Sequence, residues 1–130
     1  MAATINEVPL QLLGQNAVAY TTTGASPTVI IPSGSNVRGV ILRTAILTSS
    51  GPIPGTPAQL YADNNISSLP PPPPTPGPSS TRYILVLPTG GGTTALSQII
   101  WPYYLDPGLG LALNAPSPGI TLYASWDFAA

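Results

Sequence analysis

The stretch ITLYASWDF at residues 120–128 alternates strictly between two kinds of side chain. Its odd-numbered positions carry Thr, Tyr, Ser and Asp, and its even-numbered positions carry Ile120, Leu122, Ala124, Trp126 and Phe128. Because successive side chains of a strand point to opposite faces of a sheet, this period of two predicts a half-buried β-strand. We expect the even-numbered set to face a core and the other set to face water or a neighbouring molecule.

Similar short apolar segments recur along the chain, bounded by Pro, Gly, Asn and Ser, a pattern typical of a sandwich or barrel. The 18 prolines and 13 glycines are spread over 130 residues and leave little room for helices. Residues 1–13 are interpreted as an N-terminal arm that can add a strand to a neighbouring molecule. We predict strands near residues 8–13, 17–23, 28–31, 37–48, 59–62, 82–87, 96–105, 108–113 and 120–128.

The side-chain patterns of two predicted strands, residues 37–48 and 108–113, also predict what packs against their faces. Residues 37–48 are apolar on both faces, with Val37 at the start of one face, and predict a long central strand that bends between two sheets at Gly39. In residues 108–113, three leucines share one face, and the small residues Gly108, Gly110 and Ala112 share the other. We expect that second face to let another sheet or another subunit approach closely.

The aromatic cluster IIWPYYL at residues 99–105 has apolar side chains on both faces of a strand. Alternation places Trp101 and Tyr103 together, with Tyr104 opposite, so we interpret Trp101 and Tyr103 as core and Tyr104 as interface. Trp and Tyr are favoured at interfaces because they combine a large contact area with a polar tip. Both also stack on sugars, which leaves a lectin-like role open.

The chain has too few charged side chains for general acid–base catalysis or for electrostatic binding of nucleic acid. The chain has three arginines, four carboxylates and no His, Lys or Cys, with a net charge of −1. Three arginines cannot track a nucleic-acid backbone, and general acid–base catalysis lacks its usual groups. The spacing of Glu7, Asp63, Asp106 and Asp127 pairs none of them, and the two middle aspartates flank turns. We predict a protein that is not an enzyme and has no catalytic residue, no cofactor and no metal ligand.

Charge also bears on assembly and location. A net charge near zero gives little self-repulsion, which suits a molecule packed in an assembly. The N-terminus has no basic and apolar regions of the kind that form a secretory signal, and no apolar run approaches the length of a membrane helix. We therefore expect a chain made in the cytoplasm, without a membrane partner.

Residues 69–80 read LPPPPPTPGPSS. Consecutive prolines adopt polyproline II and cannot join a sheet, because they lack amide donors. Such a segment either docks in an aromatic groove or forms a stiff loop between strands, and we favour the loop. Its first prolines, Pro70, Pro71 and Pro72, are kept as candidate interface residues.

Four stretches together resemble the small β-sandwich virion proteins of tailed bacteriophages: NVRGVILRTAILTSS (36–50), LYAD (60–63), WPYYLDPGLGLAL (101–113) and ITLYASWDF (120–128). In that family an Asn-rich turn leads into a Gly-Val/Ile-x-Ile strand, and a Pro-Gly-x-Gly-Leu turn precedes a closing strand. The resemblance is closest to capsid decoration, or cement, proteins. It implies a jelly-roll-like sandwich that forms dimers or trimers on the outer shell. The five-proline run departs from the family pattern, and no binding residue can be carried over.

These observations predict an all-β, single-domain antiparallel β-sandwich over residues 1–130, jelly-roll-like, with about eight strands. The expected function is structural: a capsid decoration protein on the virion surface, bound to the major capsid protein and to itself as a homotrimer or homodimer. A tail or head-fibre component and a carbohydrate-binding adhesin are the alternatives. The candidate interface residues are Val8, Leu10, Leu12, Trp101, Tyr103, Tyr104, Pro70, Pro71 and Pro72.

Overall fold

The computed structural model describes residues 14–23, 26–51, 53, 57–66, 81–88 and 95–129. The predictions for the arm at residues 1–13 and the loop at residues 69–80 lie outside this part of the chain. The described residues form strands and one short 3-10 turn at Ser33–Ser35. The strands are β1 (Asn16–Thr21), β2 (Ser26–Ile31), β3 (Val40–Ser49), β4 (Ala58–Asp63), β5 (Arg82–Leu87), β6 (Ala95–Gln98), β7 (Tyr103–Leu105), β8 (Gly110–Ala115) and β9 (Ile120–Phe128).

The strands make two antiparallel sheets, which confirms the predicted β-sandwich. The front sheet has the order β1-β9-β3, and both β6 and β7 pair with the far edge of β3. The back sheet has the order β2-β8-β4-β5. When β6 and β7 are counted as one interrupted strand, each sheet has four strands, and the chain crosses between the sheets in the double Greek-key order of a jelly roll.

The core lies between the two sheets and is almost entirely aliphatic. Ile120, Leu122, Ala124 and Trp126 of β9 are buried, as the alternation predicted, and so are the three leucines at 109, 111 and 113. Complete burial of one such large apolar side chain stabilises the fold by about 1.5–3 kcal/mol. Phe128 does not follow the prediction: it is the last residue of β9 and is 45% exposed.

A β-bulge explains why β3 is apolar on both faces. Its register against β9 shifts between Leu42 and Thr44, which leaves Arg43 as an extra residue. Even-numbered side chains face the core before the bulge, and odd-numbered ones do so after it. A simple period of two therefore cannot describe this strand.

The start of β3 differs from the prediction. Val37 precedes the strand and is 74% exposed, and β3 pairs only within the front sheet, so the predicted bend between sheets is wrong. Gly39 has a φ of +112°, a conformation that favours glycine, and lies in the turn before the strand. The end of the Tyr104 side chain lies against Gly39 and would have to move if this position carried a Cβ.

The small-residue face of β8 is covered by the chain itself. Ala112 is fully buried against Tyr61 and Ile66, and a Cβ on Gly110 would lie 2.6 Å from the Ile31 carbonyl oxygen. The close approach expected on this face is therefore made within the chain, by Ile66 after β4 and by Ile31 at the end of β2. At Gly110 and Ala112 no space is left for another subunit, whereas Gly108 is exposed in the turn before β8.

The buried side chain of Asn36 joins two turns at one end of the sandwich. Its amide nitrogen donates to the carbonyl oxygens of Asp106 (2.8 Å) and Leu109 (2.9 Å). Its side-chain oxygen accepts the Gly39 amide at 2.7 Å, and its carbonyl accepts the Gly108 amide at 2.7 Å. One residue thus ties the turn before β3 to the turn before β8.

Asn36→Ala is expected to lower the free energy of unfolding by about 2–4 kcal/mol, because it leaves buried backbone groups without partners. Asn65→Ala is the matched control, since the Asn65 side chain is exposed, and it should change the free energy of unfolding by less than about 0.5 kcal/mol. Urea unfolding of both variants measures this difference. Equal effects would contradict a special role for Asn36.

Candidate interaction surface

The edge strand of the front sheet is interrupted opposite the β3 bulge. Between Leu42 and Ile46, β3 advances four residues, while the chain paired with it advances five, from Gln98 to Tyr103. Residues 99–102 therefore leave the ladder, and Pro102 among them has no amide to donate to it. The predicted continuous strand over residues 96–105 is wrong, and the chain forms β6 and β7 instead.

This interruption changes the position of the aromatic cluster. Trp101 is 79% exposed and not in the core, and its neighbour Ile100 is 81% exposed. Tyr103 is half-buried and packs against the core, as expected. Tyr104 is half-exposed and donates its hydroxyl to the Arg38 carbonyl at 3.3 Å. Among the candidate interface residues, the structure thus brings Trp101 and Tyr104 to the surface beside β3.

A cleft of about 250 Å³ lies where the strand is interrupted, and we call it the edge cleft. The Ile99 amide donates to the Ala45 carbonyl at 3.1 Å and holds the looped segment against β3. The cleft is smaller than the 300–1,000 Å³ or so of drug-sized ligand sites, so its size suits one inserted side chain. It is lined by Arg43, Thr44, Ala45, Ile46, Gln98, Ile99, Ile100 and Pro102.

The outer side of the front sheet, which we call the front face, continues from the edge cleft across β3, β9 and β1. Tyr123 lies at its centre, between Ile46 and Ala19 in the pairing register, and is 51% exposed. The adjacent row carries threonines, of which Thr21 and Thr121 share a hydrogen bond of 2.9 Å. On the back sheet, by contrast, the outward Tyr61 is completely buried.

One ion pair lies on the front face. Arg43 Nε donates to Asp127 Oδ2 at 2.9 Å, and the Gln15 amide donates to the other carboxylate oxygen at 2.7 Å. These contacts lower the pKa of Asp127, the backbone hydrogen bond from Gln15 most and Arg43 next. Both side chains are partly exposed, so the pair adds little stability, but it fixes the guanidinium at the rim of the edge cleft.

Tyr61 and Asp63, on the back sheet, have structural surroundings. Burial raises the pKa of Tyr61 to about 12, and the nearby Asp63 carboxylate adds to the effect. That carboxylate accepts the Asn64 amide at 2.7 Å and the Thr81 hydroxyl, which closes the turn after β4. Among the described residues there is no cluster of metal-ligating side chains and no helix long and apolar enough to cross a membrane.

Comparisons of the chain with protein-family models, with curated proteins and with solved structures found no match. The resemblance to phage virion proteins therefore stays a prediction. The two turn motifs that carry it are the ones that Asn36 joins.

Sequence reasoning missed the edge cleft and the part that Arg43 plays in it. One local signal points to the interruption: Pro102 lies inside a segment that otherwise looks like a paired strand. The bulge at Arg43 has no comparable signal, because it appears only in the register against β9.

Asp127→Asn is expected to make the protein less stable at neutral pH than the wild type. Because the pKa of Asp127 is lowered in the fold, its stabilisation is complete above its ordinary pKa of about 3.9 and is lost as the pH falls through the lowered value. The difference in unfolding free energy between the two proteins should therefore shrink below about pH 4. Urea unfolding from pH 7 to pH 2 measures it.

Arg43→Gln is the comparison variant. It leaves the Gln15 amide in place and should keep part of the pH dependence that Asp127→Asn removes. A stability difference for Asp127→Asn that is the same at every pH would contradict these contacts.

Proposed function

We propose that this protein is a structural virion protein that decorates the outer surface of a tailed-phage capsid and stabilises the shell. The observation that carries the proposal is the front face, which is broad, largely uncharged and exposes aromatic side chains. Exposed apolar patches of this kind mark interaction sites in soluble proteins. The jelly-roll architecture recurs in viral capsid proteins, which supports the proposal as a fold-level analogy.

The electrostatics of the front face favour permanent contacts over steered encounters. Arg43 and Asp127 already neutralise each other, so a partner that covers them does not bury an unpaired charge. A net charge of −1 gives the protein little long-range attraction to any partner. Apolar and main-chain contacts are weakly screened by salt, so attachment should persist at high ionic strength.

The proposed partners are the major capsid protein and further copies of this chain, as a homotrimer or homodimer. Neither nucleic acid nor membrane is a proposed partner. The proposed location is the virion surface, after synthesis in the host cytoplasm. The work of such a protein needs surface area and shape, and it needs no reactive group.

Co-sedimentation with capsids of the source virus that lack this protein tests the proposal. Wild-type protein should saturate at a fixed ratio to the shell subunits and raise the heat resistance of the capsid. Tyr123→Ala should weaken binding at least tenfold, because central aromatic residues contribute much of the energy of an interface, about 2 kcal/mol or more. Tyr83→Ala on the back sheet, where Tyr83 is similarly exposed at 43%, is the matched control and should bind as the wild type does.

The stoichiometry separates the virion roles. Binding of only a few copies per particle would favour a tail or head-fibre component. No binding to capsids would overturn the decoration role.

A carbohydrate-binding adhesin is the second candidate, and the position of Trp101 favours it. This highly exposed indole lies in the segment that borders the edge cleft, where Arg43 and Gln98 offer hydrogen-bond donors. Jelly rolls also occur in lectins, and an aromatic face with polar groups nearby can stack on a sugar ring.

A glycan array, with Trp101→Ala and Tyr104→Ala as variants, tests the adhesin role. Loss of a glycan signal in these variants, with the oligomeric state unchanged by light scattering, would support it. Absence of any glycan signal for the wild-type protein would exclude it for the sugars tested.

A further inference from the structure

The first described residues, Gly14 and Gln15, lie on the front face just before the chain enters β1. The Gly14 amide donates to Ser125 Oγ at 3.1 Å, and the Gln15 amide donates to Asp127 Oδ1 at 2.7 Å. Both acceptors are side chains of β9 that point away from the core. Asn16, the next residue, already pairs with Trp126 as part of β1. The backbone before Asn16 therefore lies above β9.

The backbone at Gly14 lies in close contact with β9, which fixes its position above that strand. A Cβ at Gly14 would lie 2.3–2.4 Å from the backbone atoms of Trp126, so only glycine fits there. Ser125 is only 3% exposed, although its neighbour Tyr123 on the same face is 51% exposed. From Asn16 in β1 to Gly14 above β9, two residues cover about one strand spacing of 4.8 Å.

Continued at the same rate, the path crosses the sheet toward the edge cleft. At that rate, the four residues before Gly14 are enough to reach from β9 to the cleft. Thirteen residues precede Gly14, and extended chain spans about 3.3 Å per residue, or about 43 Å in all. The cleft is two strand spacings beyond β9, about 10 Å, which is well within this reach.

The sequence of this segment matches the cleft. Residues 7–13 read EVPLQLL, in which Val8, Leu10 and Leu12 alternate with Pro9 and Gln11. One aliphatic side chain suits a small cleft whose lining includes Ile46, Ile99 and Ile100. At its rim, Arg43 binds Asp127 through Nε, and no described residue accepts a hydrogen bond from its terminal nitrogens. Glu7, the acidic residue of the segment, complements that guanidinium.

We propose that the front face binds residues 8–13 of the same chain, with the Leu10 side chain in the edge cleft and Glu7 near Arg43. Docking within one chain is favoured because the segment is joined directly to Gly14, which gives a high effective concentration. The segment then shields the apolar front face of the free molecule, and a partner that binds this face must displace it. This inference does not depend on the proposed function.

Disulfide trapping tests the proposal in the full-length chain, which has no cysteine of its own. The double variant Leu10→Cys with Ile100→Cys should form a disulfide within one chain under mild oxidation, because a disulfide needs Cα atoms about 4.4–6.8 Å apart. Gln11→Cys with Ile100→Cys is the matched control and should react at least fivefold more slowly. Non-reducing gels and peptide mass spectrometry identify the bond.

The position of the bond decides between this proposal and its rivals. Mixing chains that carry Leu10→Cys alone with chains that carry Ile100→Cys alone reveals any bond between molecules. Efficient cross-linking in that mixture would overturn docking within one chain in favour of arm exchange between copies. Equal rates for positions 10 and 11, or no bond at all, would overturn the docked position of Leu10.

Hydrogen exchange gives a second measurement without cysteines. The Ile99 amide bonds to Ala45 in the wall of the edge cleft, so Leu10→Asp should speed its exchange about tenfold, and Gln11→Asp should not. Identical exchange at Ile99 in the wild type and both variants would contradict the proposal.

Discussion

The extra residue at Arg43 in β3 is the constraint on which the rest of the front sheet depends. Arg43 lies between two well-paired halves of the longest strand pairing in the fold, β3 against β9. The bulge reverses the direction of every later side chain of β3, so that Ala45 and Leu47 reach the core. It also directs the Arg43 side chain to Asp127. Opposite the bulge, the edge strand advances one residue more than β3, and its looped residues form one wall of the edge cleft.

The two outer faces of the sandwich differ in how the described chain covers their centres: Tyr61 on the back sheet is completely buried, and Tyr123 on the front sheet is 51% exposed. The segment after β4 places Ile66 over Ala112 and Gly110, and Ser33 fixes it by accepting the Ile66 amide and donating to the Asp63 carbonyl, both at 2.9 Å. In the described part of the chain, nothing comparable covers Tyr123 at the centre of the front face. The exposed Tyr123 at the centre of the front face is therefore apolar area that a partner or the N-terminal segment can bury.

Low charge links the architecture to the proposed role. A surface with many hydroxyl groups and, among the described residues, one ion pair can be covered without a large desolvation cost, because few ionic groups lose water. The same surface gives a free molecule little protection against association. Docking of residues 8–13 would protect the front face of the free molecule until a partner binds it. The proposed function and the further inference therefore concern the same surface.

The amino-acid sequence by itself determined the fold class and most of the strands. The alternation in β9 and the leucines of β8 predicted the core, because a strand that is buried on one face imposes a period of two on its own sequence. The turn that Asp106 flanks, with its bend at Pro107-Gly108, was also local and recognisable from its residues, whereas residues 37–39, predicted as strand, precede β3. What only the tertiary structure decided is where Trp101, Val37, Arg43 and the small face of β8 lie. Their environments depend on pairing with residues far along the chain: the bulge at Arg43 exists only in register with β9, and Trp101 is exposed where the edge strand leaves its pairing with β3. The periodicity of a strand's sequence indicates which of its side chains share a face, but it does not indicate which part of the chain packs against that face.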